Sequence, residues 1–413
     1  MTSLRKQTTL SNGLTIVSET VDTVRSVALG IWVRAGSRYE PAHLAGISHF
    51  LEHTVFKGTH NRTTFEIASS LESVGGHLNA FTTKEYTCYH ARFLGEYLEE
   101  AVDVLADLLL HPTFPNDEIE REKSVVLDEL RDSHDVPEEL AFDTFERFLY
   151  PDNPIGKPIL GNETSIKGFT PAALSEYLNE NYSPENTIIV AAGYVDHAQL
   201  VSLIESRYDR PGTGENTYEP VNGSSYEPGV EIRTKDIQQS HLITGLPIFS
   251  VFDDRRYDIA VLNSILSGGM SSRLFQNIRE AHGVAYQIFS FVNLYRDTGS
   301  FGVFLATDPA KRELASELTL AELQKMVTDP VSDAELEMVK AQYKSGIVMG
   351  DESMERRMMR LGRQQIYYGE NIGLDKFLKN IEAIDVERIQ NLARELFNPD
   401  KFFTSILEPN GKT

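Results

Sequence analysis

The chain has 413 residues, 41% of them apolar, which is enough for two or more domains with cores of their own. Its 39 Lys and Arg stand against 61 Asp and Glu, a net charge of -22 that argues against a nucleic-acid interface and favours cationic partners. No apolar run has the length of a membrane span, MTSLRKQTTLSNGL lacks a signal-peptide core and an evident transit peptide, and the lone Cys88 excludes an internal disulfide and fits a reducing compartment.

In chain order, SVALGIWVR (26–34) alternates Val27, Leu29, Ile31 and Val33 with Ala28, Gly30 and Trp32. Both faces are apolar, so a strand covered on both sides is expected. AGSRYEP reads as a loop, 45–56 as a helix, and 64–74 as a helix stopped by Gly75-Gly76. Residues 78–83 and 86–94 read as two strands around a short turn, and 96–110 as a helix ended at HPTFPN. DEIEREKSVVLDELRDS starts a helix at Asp117, with Asp117 and Glu120 at capping-box spacing. Interrupted helix, a strand at 186–195 and a helix at 197–208 follow.

Residues 209–229 are rich in Gly, Pro, Ser and Asn and read as a linker between 1–208 and 230–413. The two halves look related. Anchoring Glu118-Ile119-Glu120 on Glu335-Leu336-Glu337 puts Lys123 on Lys340, and NTIIVAAG has a counterpart in FFTSILEP. The expected fold is α+β, two related halves, each a mixed or mostly antiparallel sheet with helices packed on it.

The chemistry concentrates in HFLEH (49–53). His49 and His53 are four residues apart, so a helix puts both on one face. Two neutral imidazoles suit zinc, and Glu52 stands close enough to act on water as a base. The order H-x-x-E-H is the inverted form of a zinc-peptidase motif. The competing reading is two surface histidines with Glu52 paired to Lys57. A third ligand has to come from elsewhere. On the helix from Asp117, Glu122 and Glu129 differ by about 20° of rotation and both border the apolar stripe of Ile119, Val126 and Leu130. Either one serves as ligand, unless both merely pair with Arg121, Lys123 or Arg131. In the repeat, Glu122 falls on Val339 and Glu129 on Gly346, and the counterpart of the His cluster has no histidine. The second half is expected to keep the fold without the metal.

GISHFLEHTVFKGT, ESVGGHLNAFTTKEYTCYHA, FPNDEIEREKSVVLDELRDSHDVPEELA, GKPILGNETSI and SGGMSSRLFQNIREAHGVAYQIFSF occur in this order. Together they resemble the pitrilysin and mitochondrial-processing-peptidase family of inverted-motif zinc peptidases, closest to its short bacterial forms and the catalytic β subunit. The resemblance implies one Zn2+ per chain held by His49, His53 and Glu129, with Glu52 as catalytic base and Glu122 supporting the site. It implies that Arg279 and Tyr286 act on substrate and oxyanion. It also implies that the strand LNAFT, through Asn79, Ala80 and Phe81, pairs with an extended peptide, and that the halves close like a clamshell around a chamber. The function so implied is a metalloendopeptidase acting on peptides or short unfolded segments, with a basic preference that fits the net charge. The alternatives are a presequence-processing β subunit and a noncatalytic core-type structural protein. A homodimer is expected, with a related second subunit as alternative, and no nucleic-acid or membrane partner. The expected location is the bacterial cytoplasm, with the mitochondrial matrix as alternative.

Overall fold

The computed structural model describes residues 4–151, 153–210, 214, 220 and 226–411, so most of the expected linker lies outside the described residues. Six strands make the first sheet: β1 (Leu4–Thr9), β2 (Thr15–Thr20), β3 (Ser26–Val33), β4 (His77–Thr82), β5 (Thr87–Leu94) and β6 (Thr187–Gly193). Their order is β1-β2-β6-β3-β5-β4, with β2 and β6 parallel and the other neighbours antiparallel. The second sheet contains β7 (Gly229–Lys235), β8 (Ser240–Ile248), β9 (Ala285–Leu294), β10 (Gly299–Thr307) and β11 (Phe403–Pro409), ordered β7-β11-β8-β10-β9. Here β7 and β11 are parallel and the rest antiparallel. Read strand for strand, β2, β6, β3, β5, β4 become β7, β11, β8, β10, β9, the same topology twice. The pairing of Glu118 with Glu335 extends to the helix starts, since Asn116–Asp135 and Asp333–Gly350 begin at matched positions.

The strand reading of β3 holds in detail. Val27, Leu29, Ile31 and Val33 enter the core formed with helices Ile47–Val55, Leu98–Leu110 and Pro171–Asn181. Ala28 and Trp32 enter a second core on the opposite face, together with Met354, Met358 and Leu361. Two apolar faces per strand need two covering layers, and the second layer here is helix Met354–Tyr368.

That helix lies late in the sequence but belongs to the first compact unit, which comprises Met1–Arg131, Lys157–Glu219 and Met349–Asn371. The second unit comprises Asp132–Gly156, Pro220–Val348 and Ile372–Thr413. Helix Pro137–Leu149 accordingly covers the second sheet, with Phe145 packed against Phe291 and Phe403. Each half of the sequence therefore lends a helix to the sheet of the other. A single division at the linker misses this, because amphipathic spacing shows that a helix is buried but not beneath which sheet. Helix Met354–Tyr368 sits very close to its sheet. A Cβ on Gly362 would lie 2.1 Å from the Trp32 ring, so only glycine fits. Charge fastens it as well. Glu19 of β2, fully buried, receives Arg5 at 2.8 Å, Arg357, and Arg360 at 3.5 Å. Such an ion pair is costly to bury and still more costly to break on one side.

The expected capping box at Asp117 is absent. The helix begins one residue earlier, so Asp117 lies inside its first turn, meeting Arg121 at 3.3 Å while Glu120 meets Lys123 at 2.8 Å. Among the described residues no helix is long and apolar enough to cross a membrane.

The helix exchange generates a prediction. Coexpressed as fragments 1–210 and 226–413, the two pieces copurify, and deleting 349–371 from the second reduces the amount that copurifies; each fragment behaving as a soluble, folded monomer by itself would contradict it.

Candidate metal centre

Helix Ile47–Val55 buries Ile47, Phe50, Leu51 and Val55 in the first core, which fixes its rotation. His49 is then almost wholly buried, while Glu52 and His53 are partly so. The two imidazole centroids are 4.7 Å apart, as expected for side chains one turn apart. Burial, with His53 adding to it, pushes the His49 pKa down to about 4, which keeps the ring neutral and one nitrogen lone pair available to a metal.

Helix Asn116–Asp135 brings Glu122 and Glu129 beside these rings through its buried Ile119, Val126 and Leu130. Rotation alone leaves the choice open, but the two carboxylates differ in reach. Glu122 is buried and lies 3.2 Å from His53 Nδ1 and 2.7 Å from Lys57 Nζ. Glu129 instead offers one oxygen 3.6 Å from His49 Nε2 and the other 3.6 Å from His53 Nε2. Those gaps are too long for hydrogen bonds. They match ligand-to-ligand edges around a tetrahedral zinc, about 3.4 Å for bonds near 2.1 Å. Among the described residues, His49, His53 and Glu129 are the one group of three such ligand atoms within 4.8 Å of one another. The donor set, two imidazoles and a carboxylate, fits zinc with a position left over.

The bland alternatives fail on geometry. Arg121 pairs with Glu118 and Asp117, Lys123 with Glu120, and Arg131 with Asp128, all on the outer face of the helix. Lys57 goes to Glu122 rather than Glu52. Glu52 accepts a 2.5 Å hydrogen bond from Thr82 Oγ1 on β4, a partner that strand alternation alone did not single out. Burial is the largest influence on the Glu52 carboxyl and raises it, against the Thr82 bond and the His53 charge. Burial also presses Glu122 upward, but the His53 and Lys57 hydrogen bonds leave it below the ordinary value. Burial disfavours a charged His53, yet the Glu122 bond and the charges of Glu129, Glu52 and Glu122 raise its pKa. With an ionised Glu122 at Nδ1, Nε2 is the atom that would face a metal.

β4 is the outer strand of its sheet. Asn79 is exposed and its Oδ1 accepts from the Ala80 N–H at 2.9 Å, while Phe81 packs edge-on against Trp32 at 6.0 Å. In the second unit, Arg279 lies on a short π-helix, Phe275–Glu280. Its guanidinium is 4.8 Å from the Phe275 ring centre and 4.9 Å from that of Tyr286, whose side chain is 79% exposed, not a buried strand aromatic. A second residue that the sequence reading passed over is Glu40, read as loop. It is buried, and its carboxylate binds the first turn of helix Ile47–Val55. Two other histidines are engaged elsewhere: His111 lies 3.1 Å from Asp107 and His90 3.8 Å from Glu355.

Comparison with known proteins identifies the family. The family description "Insulinase (Peptidase family M16)" matches residues 15–163, and "Peptidase M16 inactive domain" matches 168–343. A Bacillus subtilis protein named "Uncharacterized zinc protease YmxG" is 36% identical over 408 residues, covering 98% of each chain. A Mycobacterium tuberculosis protein named as an uncharacterized zinc protease is 37% identical over 418 residues, covering 98% of this chain and 93% of its own. The solved structure of a protease from Helicobacter pylori superposes with a TM-score of 0.92 at 22% identity, over 98% of this chain and 100% of that one. A Pseudomonas fluorescens structure titled as a peptidase M16 inactive domain gives 0.91 at 19% identity, over 98% of each. With one strand order repeated in two sheets and, among the described residues, a donor cluster in the first unit alone, the chain belongs to peptidase family M16, the insulinase family, whose relatives here are named zinc proteases.

Proposed function

We propose that the chain is a zinc-dependent endopeptidase that hydrolyses peptides or short unfolded segments. The observation that carries this is the convergence of His49, His53 and Glu129 with Glu52 alongside. When bound, zinc supplies Lewis acidity toward water and toward the scissile carbonyl. Glu52 takes the proton of the attacking water and delivers it to the leaving amine. Its upward-shifted carboxyl suits a group that must both accept and release a proton. Thr82 fixes the direction of that carboxylate. Glu122 orients the His53 ring, and Lys57 balances its charge.

The outer edge of β4 at Asn79, Ala80 and Phe81 suits backbone pairing with an extended peptide, the Ala80 N–H exchanging Asn79 Oδ1 for a peptide carbonyl, and such pairing recognises no particular side chain. The net charge of -22 favours the arrival of basic peptides. Arg279 and Tyr286 are assigned to stabilising the developing oxyanion. The support for this is the sequence resemblance, together with an exposed phenol held beside a guanidinium.

Purified wild type is predicted to carry about one zinc per chain and to cleave a quenched basic peptide faster than an acidic one of equal length. Glu52→Gln keeps its zinc and loses turnover by about 100-fold or more. Wild type without zinc and without cleavage would end this reading. Glu122→Gln weakens zinc binding about 10- to 100-fold in a chelator competition; an unchanged affinity would remove Glu122 from the site. Tyr286→Phe lowers kcat about 100-fold with zinc content unchanged, and equal kcat would assign the phenol no part in the reaction.

A further inference from the structure

We infer that Glu40 is a positioning residue of the metal centre, resting on the zinc-peptidase reading above: its carboxylate fixes the first turn of the helix that carries His49, Glu52 and His53. The first N–H groups of any helix lack partners within it. Ordinarily a Ser, Thr, Asp or Asn at the N-cap supplies one. Helix Ile47–Val55 has Gly46 at that place, in the left-handed region at φ 90°, with no side-chain cap of its own. Glu40 supplies two of the missing acceptors from outside the helix. Its Oε2 accepts from the Gly46 N–H at 2.6 Å and its Oε1 from the Ser48 N–H at 2.8 Å. The helix is nine residues long, too short to hold its own ends by cooperativity. His49 stands third in it, inside the turn that Glu40 caps.

Glycine is required at the cap by close packing as well. A Cβ on Gly46 would lie 2.5 Å from the Leu160 carbonyl. Backbone thus walls one side of the helix start, and the Glu40 carboxylate sets where along its axis the helix begins. A buried carboxylate costs more than a local neutral cap would, so its use calls for a reason beyond capping. The reason lies in what holds Glu40. The Ser37 and Arg38 N–H groups donate to the Thr83 and Lys84 carbonyls at 3.2 and 2.9 Å. Arg38 reaches Glu85 at 2.5 Å, both buried, and the other Glu85 oxygen accepts from Tyr367 at 2.7 Å. The loop of Glu40 is therefore fastened to the β4–β5 turn, directly after Thr82. One hairpin positions Glu52 through Thr82 and, through Arg38 and Glu40, the helix on which Glu52 and the histidines sit. Glu40 holds these groups in register with β4.

Zinc affinity, read by competition with a chromophoric chelator, tests this on the full chain. Glu40→Ala weakens zinc binding about 10-fold or more, and its zinc-loaded form loses kcat with KM retained. Glu40→Gln keeps one oxygen acceptor and falls between Glu40→Ala and wild type. Asp196→Ala removes the side-chain cap of helix His197–Arg207 in the same unit and leaves zinc affinity within about twofold. Equal affinity in Glu40→Ala and wild type overturns the inference while leaving the zinc reading intact, as does an equal loss in Asp196→Ala. If Glu40→Ala does not fold, Glu40→Gln decides: an affinity equal to wild type overturns the inference and an intermediate one supports it. A wild type without zinc overturns both the zinc reading and this inference.

Discussion

Two imidazole Nε2 atoms and the two oxygens of Glu129 face each other across gaps of 3.6 Å. That spacing is too wide for hydrogen bonds and close to the ligand-to-ligand edge of a tetrahedral zinc site. The rest of the first unit follows from maintaining this spacing. Phe50 and Leu51 fix the rotation of one helix, and Ile119, Val126 and Leu130 fix that of the other. Glu122 and Lys57 hold the His53 ring from behind, and Thr82 holds Glu52 from the strand.

Duplication explains why so large a scaffold surrounds so small a cluster. Five strands of the first sheet share their order and directions with the five of the second, yet Val339 and Gly346 stand where the first copy has Glu122 and Glu129. The second copy was thereby released from the electrostatic constraint. Its matched helix buries Leu336 and Val339, where the first buries Ile119 and Glu122. Each sheet is also completed by a helix from the other half of the sequence, so neither copy has a finished core without the other's chain.

The periodicity of β3, the hairpin of β4 and β5 and the His49–His53 pair were legible in the sequence, because each is a local spacing that local geometry obeys. Glu129 rather than Glu122 was not legible from rotation. Both lie on one edge of the helix, and the choice depends on axial reach across to another element; the family resemblance supplied it. Glu40 and Thr82 were missed because their partners are six to thirty residues away through turns that no periodicity encodes. Helix Met354–Tyr368 was not read from the sequence, and its sheet has no local signal, since Met354, Met358 and Leu361 suit either one.

The most direct test of the central claim is a crystal structure of the zinc-loaded protein with diffraction recorded on both sides of the zinc edge. The expected result is one anomalous peak per chain in the first unit, about 2.0–2.2 Å from His49 Nε2, His53 Nε2 and a Glu129 oxygen. No peak there, or a peak bound by Glu122 with Glu129 turned away, would contradict the account.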